Sequence, residues 1–228
     1  MRSTVAYKAA MAVSGLIMVL YLLAHMYGNL KAFSGKAAFD GYAEHLREIG
    51  EPVLPHAGAL WIIRVVLLVS VLVHFYSALM LWRRAHVASS RGAAGQRYQS
   101  TKNRRGVQRT YASFTLRWGG LVVALFIVYH LLHLSADYIA PGGASNSPYE
   151  RLVNGFQIWW VVLSYTIALL AVGFHIRHGF WSAFATLGAN TSVPRRRHLN
   201  QLAVVISLVI TVGFLVPPFA IFFGWIGR

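Results

Sequence analysis

Four histidines stand inside long apolar runs of this sequence: His25, His74, His130 and His175. An ionisable residue within a bilayer is costly, usually faces the interior of a helix bundle and by default marks function. A lone membrane histidine is more often a hydrogen-bonded core residue than a ligand, but here each successive run carries one. Two neutral imidazoles on facing helices can coordinate a haem iron from both axial sides, which produces an electron carrier and not an oxygen-binding site.

The elements that must position these histidines are apolar segments long enough to cross a bilayer, which takes about 20 residues. The chain is 57% hydrophobic and 12% charged, whereas soluble domains are about 25% charged. We expect an all-α integral membrane protein, a single five-helix bundle over residues 1–228. The predicted helices are 9–30, 60–82, 116–138, 157–187 and 199–223.

The charges predict the orientation of the bundle. No acidic residue interrupts the basic residues that surround the second loop, and all six acidic residues fall in the first and third loops. By the positive-inside rule, the N-terminus is cytoplasmic and the C-terminus is outside. The net charge of +15 therefore indicates topology and not a nucleic-acid partner. The basic residues are Arg83, Arg84, Arg91, Arg97, Lys102, Arg104, Arg105, Arg109 and Arg117, with Arg195, Arg196 and Arg197 in the fourth loop.

The predicted depths of the four histidines in the membrane indicate how they pair. His25 and His130 lie about 25 and 20 Å from the cytoplasmic ends of their helices, whereas His74 and His175 lie about 14 and 18 Å from theirs. We expect an outer pair, His25 with His130, and an inner pair, His74 with His175. Structural zinc takes four ligands at one point, so the split between two depths disfavours it. The absence of cysteine excludes c-type haem attachment and iron–sulfur ligation on this chain.

A repeat relates the first and third helices, because Gly15 and Gly120 each stand ten residues before a histidine. The repeat predicts two similar hairpins that pack face to face, with a fifth helix added. The two glycines permit close approach of a backbone or a flat ligand. Simple helix packing explains the glycines equally well.

Three arginines are candidate partners of the haem propionates. Arg64 is expected near the level of His25, and Arg177 follows His175 closely. Arg117 is a further candidate for the inner haem, although its side chain is nearly as well explained by snorkelling to the headgroups. His133 and His178 lie three residues beyond proposed ligands and are candidate contacts of a propionate or quinone, with an interfacial polar role as the favoured alternative.

The motifs Ser14-Gly15 to Ala24-His25-Met26, Val73-His74-Phe75-Tyr76, Arg117 to Tyr129-His130 and Phe174-His175 to Gly179-Phe180-Trp181 carry a family resemblance. Over essentially its whole length, the chain resembles the five-helix, dihaem cytochrome b anchors of succinate dehydrogenases and fumarate reductases. The resemblance implies that the first histidine pairs with the third and the second with the fourth. It also makes Ser14 a candidate cofactor-binding residue.

The resemblance further implies a respiratory complex in a bacterial cytoplasmic membrane. A flavoprotein that carries FAD and an iron–sulfur subunit would dock on the cytoplasmic side, and no catalytic side chain is expected on this chain. Electrons would pass through two b haems to a quinone, commonly menaquinone. Glu48, in the setting Glu48-Ile49-Gly50-Glu51-Pro52, is the candidate proton-exchanging carboxylate of the quinone site.

Two alternatives remain open. The dihaem gamma subunit of a nitrate reductase also uses bis-histidine haems, but its ligands come from fewer helices. A membrane transporter whose histidines bind protons or only pack belongs to a different class, and the absence of haem from the purified protein would favour it. The cytochrome b of the quinol-oxidising bc complexes carries two spaced histidines in each of two helices, a pattern that this sequence lacks.

Overall fold

The computed structural model describes residues 3–90 and 107–227, and within these ranges the secondary structure is entirely helical. Two short segments continue helices with different hydrogen bonding: a 3₁₀ turn at Lys31–Ser34 and a π-helical turn at Leu131–Ser135. The α-helices are α1 Thr4–Leu30, α2 Lys36–Glu48, α3 Gly58–Ser90, α4 Val107–His130, α5 Pro148–Phe156, α6 Trp159–Thr186 and α7 Val193–Phe222.

Five of these helices, α1, α3, α4, α6 and α7, are long and apolar enough to cross a membrane, as the sequence predicted. The bounds of these helices differ by several residues from the approximate spans that the sequence predicted. The fifth span was expected to begin at 199, but α7 begins at Val193, because the Ser192 hydroxyl caps the helix by accepting from Arg195 N at 3.4 Å. The third span was expected to reach 138, but its helix ends by Ser135, and Asp137 adopts a positive φ of 57°.

The loops at one end of the bundle contain two helices that the sequence analysis did not predict, α2 and α5. They have 13 and 9 residues, respectively, so a search for apolar runs of membrane-spanning length cannot find them. The Ser147 hydroxyl accepts a hydrogen bond from Glu150 N at 3.2 Å and caps α5 at its first turn. We call α2 and α5 the outer cap.

Polar contacts join the two helices of the outer cap. Asp40 on α2 accepts hydrogen bonds from the Ser147 hydroxyl at 2.6 Å and from Tyr149 N at 3.0 Å. Lys36 forms an ion pair with Glu150, which also accepts a hydrogen bond from Ser145. The hydrogen bond with Glu150 raises the pKa of Lys36, and the hydrogen bonds from Lys36 and Ser145 lower the pKa of Glu150.

The spanning helices pack as two hairpins joined through α1 and α6. Helix α1 packs against α3, α4 packs against α6, and α1 and α6 also contact each other. Helix α7 packs on both α1 and α6. Gly173 and Gly213 allow these last two contacts, because a side chain at either position would meet Thr211 or Met26, respectively.

Helix α3 shows that lipid is the expected solvent of this bundle. Its large apolar side chains point outward, and Leu68 and Leu72 are 60% and 58% exposed. Its buried face is formed by small polar residues, Ser70 and Ser77, which flank His74 on the side that packs against α1. Small residues allow close approach of helices in membranes, where water does not drive large apolar groups inward.

Candidate functional site

The four histidines of the apolar runs meet in two pairs. The ring centroids of His25 on α1 and His130 on α4 are 5.9 Å apart, with an angle of 79° between the planes. The centroids of His74 on α3 and His175 on α6 are 6.1 Å apart, with an angle of 63°. The structure therefore brings together the residues that the depth argument paired.

The two pairs lie at different levels of the bundle. The inner pair contacts α1 at Met11 and Gly15, since His74 Nδ1 is 3.0 Å from the Met11 carbonyl and Gly15 packs on the His74 ring. His25 follows Gly15 on the same helix by ten residues, a rise of about 15 Å. Helix α6 shows the same offset, because Tyr165 contacts His130 and His175 follows ten residues later.

The separation within each pair suits one metal ion between two imidazoles. Two metal–imidazole bonds of about 2 Å, with about 1.2 Å from each nitrogen to its ring centre, require about 6.4 Å between centroids. The observed 5.9 and 6.1 Å are close to this value. Each pair offers two imidazole nitrogens, which suits an iron whose remaining ligands belong to a porphyrin.

The hydrogen bonds around His74 leave its Nε2 atom free to bind a metal. Nδ1 of His74 lies 3.0 Å from the Met11 carbonyl oxygen and 3.4 Å from the Ser14 hydroxyl. The carbonyl accepts the Nδ1 proton, so Nε2 carries the lone pair, as in most metal-bound histidines. Ser14 donates its own proton to the Ala10 carbonyl at 2.7 Å. Its hydroxyl oxygen therefore supports the orientation of His74.

The glycines of the sequence repeat lie against the inner pair. A Cβ on Gly15 would lie 3.3 Å from Cε1 of His74, and a Cβ on Gly120 would lie 3.5 Å from Cε1 of His175. Nδ1 of His175 is buried and has no hydrogen-bond partner among the described residues. Each glycine thus makes room for the imidazole ring of the next spanning helix. The sequence repeat therefore corresponds to the same glycine–histidine contact in both hairpins.

Aromatic side chains surround the outer pair. Tyr21 stacks on His25 with centroids 5.2 Å apart and 11° between the planes, and Phe214 of α7 lies 5.5 Å from the same ring. The Tyr165 hydroxyl is 3.3 Å from Nδ1 of His130 and 2.9 Å from Nδ1 of His133. His133 is therefore buried in the protein core beside the outer pair.

The remaining predicted residues have varied surroundings. The Arg64 guanidinium lies 4.9 Å from the Trp61 ring. Arg177 donates a hydrogen bond to Asn200 Oδ1 at 2.6 Å, and His178 is half-buried beside it. Glu48 is exposed at the end of α2, in the outer cap.

Two predictions concern parts that the structure does not describe. The Arg117 side chain lies outside the described residues, as do residues 91–106 of the basic loop.

The sequence analysis missed Tyr165, which stands ten residues before His175. The depth argument that placed Arg64 near His25 applies equally to Tyr165 and would have placed it near the outer pair.

Comparisons of the chain with family models, with curated proteins and with solved structures find no match. The spacing and surroundings of the two histidine pairs are therefore the observations from which a function must be inferred. The Met11 carbonyl, which accepts from Nδ1 of His74, and the spacing within each pair fit a group whose iron takes two imidazole ligands.

Proposed function

We propose that the chain is the membrane anchor and electron-transfer subunit of a succinate:quinone oxidoreductase, in which electrons pass from an iron–sulfur subunit through two bis-histidine b haems to a quinone, such as menaquinone. The observation that carries this proposal is that two pairs of imidazole rings lie at two levels of one bundle. The ring centroids within these pairs are 5.9 and 6.1 Å apart. Edge-to-face packing of aromatic rings also gives centroid separations of about 4.5–7 Å. The support for ligation is that the same pairing is present twice, each time with one histidine from either hairpin.

The side chains that would hold the haems are His25 with His130 and His74 with His175. Bound haem supplies reversible one-electron chemistry. The Met11 carbonyl accepts from Nδ1 of His74 and leaves Nε2 available to a metal, and the Tyr165 hydroxyl near Nδ1 of His130 can do the same for that ring. Arg64, which helical rise places near the level of His25, supports the proposal as a cation where propionates need one.

The charge pattern supports the proposed partners and direction. The inner pair lies towards the end of the bundle that carries Arg195, Arg196 and Arg197. A flavoprotein with FAD and an iron–sulfur subunit would dock at this end, on the cytoplasmic side of a bacterial cytoplasmic membrane, and deliver electrons to the inner site. The quinone would react near the outer pair, where Glu48 of the outer cap is the candidate to exchange protons.

The test is a reduced-minus-oxidised visible spectrum of the detergent-purified complex, with pyridine haemochrome quantitation of haem per chain. We expect about two b haems per chain and the loss of about one in each of His25→Ala and His74→Ala, because each variant removes one axial ligand. His45→Ala is the matched control, since His45 is exposed on α2 and should leave both haems in place.

Other outcomes would identify a different function. Protein without haem would contradict the cytochrome assignment and favour a non-redox membrane protein such as a transporter. Two haems with co-purified subunits that oxidise quinol with nitrate, and no succinate-dependent quinone reduction, would favour a nitrate reductase gamma subunit. Succinate-dependent quinone reduction that both histidine variants abolish would support the proposal in full.

A further inference from the structure

One buried hydroxyl group connects the outer histidine pair with a third histidine. The Tyr165 hydroxyl on α6 lies 3.3 Å from Nδ1 of His130 and 2.9 Å from Nδ1 of His133. The Tyr165 and His133 side chains are only 4% and 1% exposed, so water does not compete for these hydrogen bonds. Phe126 and Phe156 pack edge-on against the Tyr165 ring at 4.9 and 4.8 Å and fix its position.

The backbone of α4 changes its hydrogen bonding at this point. The π-helical turn Leu131–Ser135 begins directly after His130 and contains His133, and Ala136 N donates to the Leu131 carbonyl at 2.8 Å, five residues back. Single π-helical turns in α-helices are frequent at functional sites. Here the turn presents two histidines of one helix to the same tyrosine.

The directions of the hydrogen bonds follow from ligation. If His130 binds iron through Nε2, its proton is on Nδ1, and Nδ1–H donates to the Tyr165 oxygen. The Tyr165 O–H then donates to Nδ1 of His133, whose own proton must lie on Nε2. That nitrogen faces Gly155, where a Cβ would lie 2.5 Å away, and it has no partner among the described residues. The chain of hydrogen bonds runs in one direction, from His130 to His133.

We propose that Tyr165 is a positioning residue for His130, whose hydroxyl accepts the Nδ1 proton, with His133 as the next acceptor, and thereby lowers the reduction potential of the outer haem. The inference rests on the proposed function and deepens it. An acceptor on Nδ1–H increases the basicity of the imidazole as a ligand, which stabilises the oxidised iron. Hydrogen bonds in a chain strengthen one another, so His133 adds to the effect through Tyr165.

The same cluster supplies a matched control. The Tyr129 ring packs 5.6 Å from His133 and 5.8 Å from Tyr165, but its hydroxyl forms no hydrogen bond with either histidine. Tyr165→Phe and Tyr129→Phe therefore remove the same group from adjacent rings. A role limited to core packing predicts the same small effect for both variants, whereas a role on His130 predicts an effect for Tyr165→Phe alone.

The experiment is a potentiometric titration of both haems in the purified complex, with electron paramagnetic resonance of the low-spin ferric signals. In Tyr165→Phe we expect two haems per chain and a rise in the outer haem potential that increases its reduced-to-oxidised ratio about tenfold, or about 59 mV for one electron. We expect the inner haem to be unchanged and Tyr129→Phe to match the wild type.

A second pair of variants keeps the proposal testable if Tyr165→Phe loses its outer haem. His133→Leu removes the acceptor for the Tyr165 proton, and His133→Asn keeps an oxygen near the position of Nδ1. We expect a smaller upward shift in His133→Leu and a potential near that of the wild type in His133→Asn. Equal outer potentials in the wild type and all haem-containing variants would overturn the proposal. A wild type without haem would instead overturn the proposed function itself.

Discussion

At the scale of single residues, the inner and outer pairs are oriented by different kinds of acceptor. His74 is held by the backbone carbonyl of Met11, and His130 by the side-chain hydroxyl of Tyr165. A carbonyl cannot be removed by substitution, whereas a hydroxyl can. The acceptor beside His130 can therefore be changed by substituting one side chain. The acceptor beside His74 changes only if the backbone of α1 moves.

Gly15 provides a residue-scale prediction about the inner site. In Gly15→Val, the new side chain would overlap the His74 ring, because even its Cβ would lie 3.3 Å from Cε1. We expect haem content to fall from about two to about one per chain, since overpacking displaces the ring from its partner. The inner haem signal should be the one that disappears from the redox titration.

Gly41→Val is the control for this prediction, because a Cβ at Gly41 of α2 meets no atom within 4 Å. It should retain both haems. Two haems with unchanged potentials in Gly15→Val would show that Gly15 does not provide space for His74.

The residues of the site differed in how far the sequence could predict them. The four histidines were predictable because an ionisable side chain in an apolar run is conspicuous, and helical rise then gave their depths. The Met11 carbonyl was not predictable, because every residue has one and only the packing of α1 on α3 selects it. The sequence left His133 open between a propionate or quinone contact and an interfacial polar residue, since sequence alone does not show that Gly155 and Phe156 cover it.

At the scale of elements, the spanning helices were predictable and the outer cap was not. A run of about 20 apolar residues identifies a span because the bilayer requires that length. Helix α5 has 9 residues and depends on contacts with α2, such as those of Asp40 with Ser147 and Tyr149. Two helix ends are set by local backbone features and not by hydropathy. Capping by Ser192 begins α7, and the left-handed conformation of Asp137 lies just beyond the end of the third span.

The ion pair of the outer cap gives an element-scale prediction about pH. The pKa of Glu150 is lowered by Lys36, so the contribution of the pair is present above the ordinary carboxylate range and is lost as pH falls through the lowered value. The pKa of Lys36 is raised, so on the alkaline side the contribution is lost as pH rises through that value. We expect Glu150→Gln to speed amide hydrogen exchange in α5 at neutral pH, relative to wild type at the same pH.

This difference should disappear in acid, where protonated Glu150 resembles glutamine. Glu44→Gln removes an ion pair with Arg47 that lies within α2, so it should leave exchange in α5 unchanged. A difference between wild type and Glu150→Gln that persists at low pH would mean that the charge of Glu150 is not what holds α5.

At the scale of the whole molecule, charge is separated between the two ends of the bundle. The six acidic residues lie in or beside the outer cap, and Arg195, Arg196 and Arg197 begin α7 at the opposite end. The positive-inside rule predicts that the basic end faces the cytoplasm.

Reporter fusions test this orientation. Alkaline phosphatase fused after Gly227 should be active and green fluorescent protein fused there should be dark, because the first folds outside the membrane and the second inside. Fusions after Ala189, between α6 and α7, should give the opposite result for both reporters. If a reporter gave the same activity at both positions, α7 could not cross the membrane once between them.

The cross-pairing of the two hairpins has a consequence for synthesis. Each histidine pair joins one residue of the α1–α3 hairpin to one of the α4–α6 hairpin, so neither hairpin contains a complete pair. During translation, the outer pair becomes complete when α4 enters the membrane, and the inner pair must wait for α6. In the proposed anchor, a ribosome stalled between these helices would leave both outer ligands in place before His175, the last ligand of the inner pair, is made.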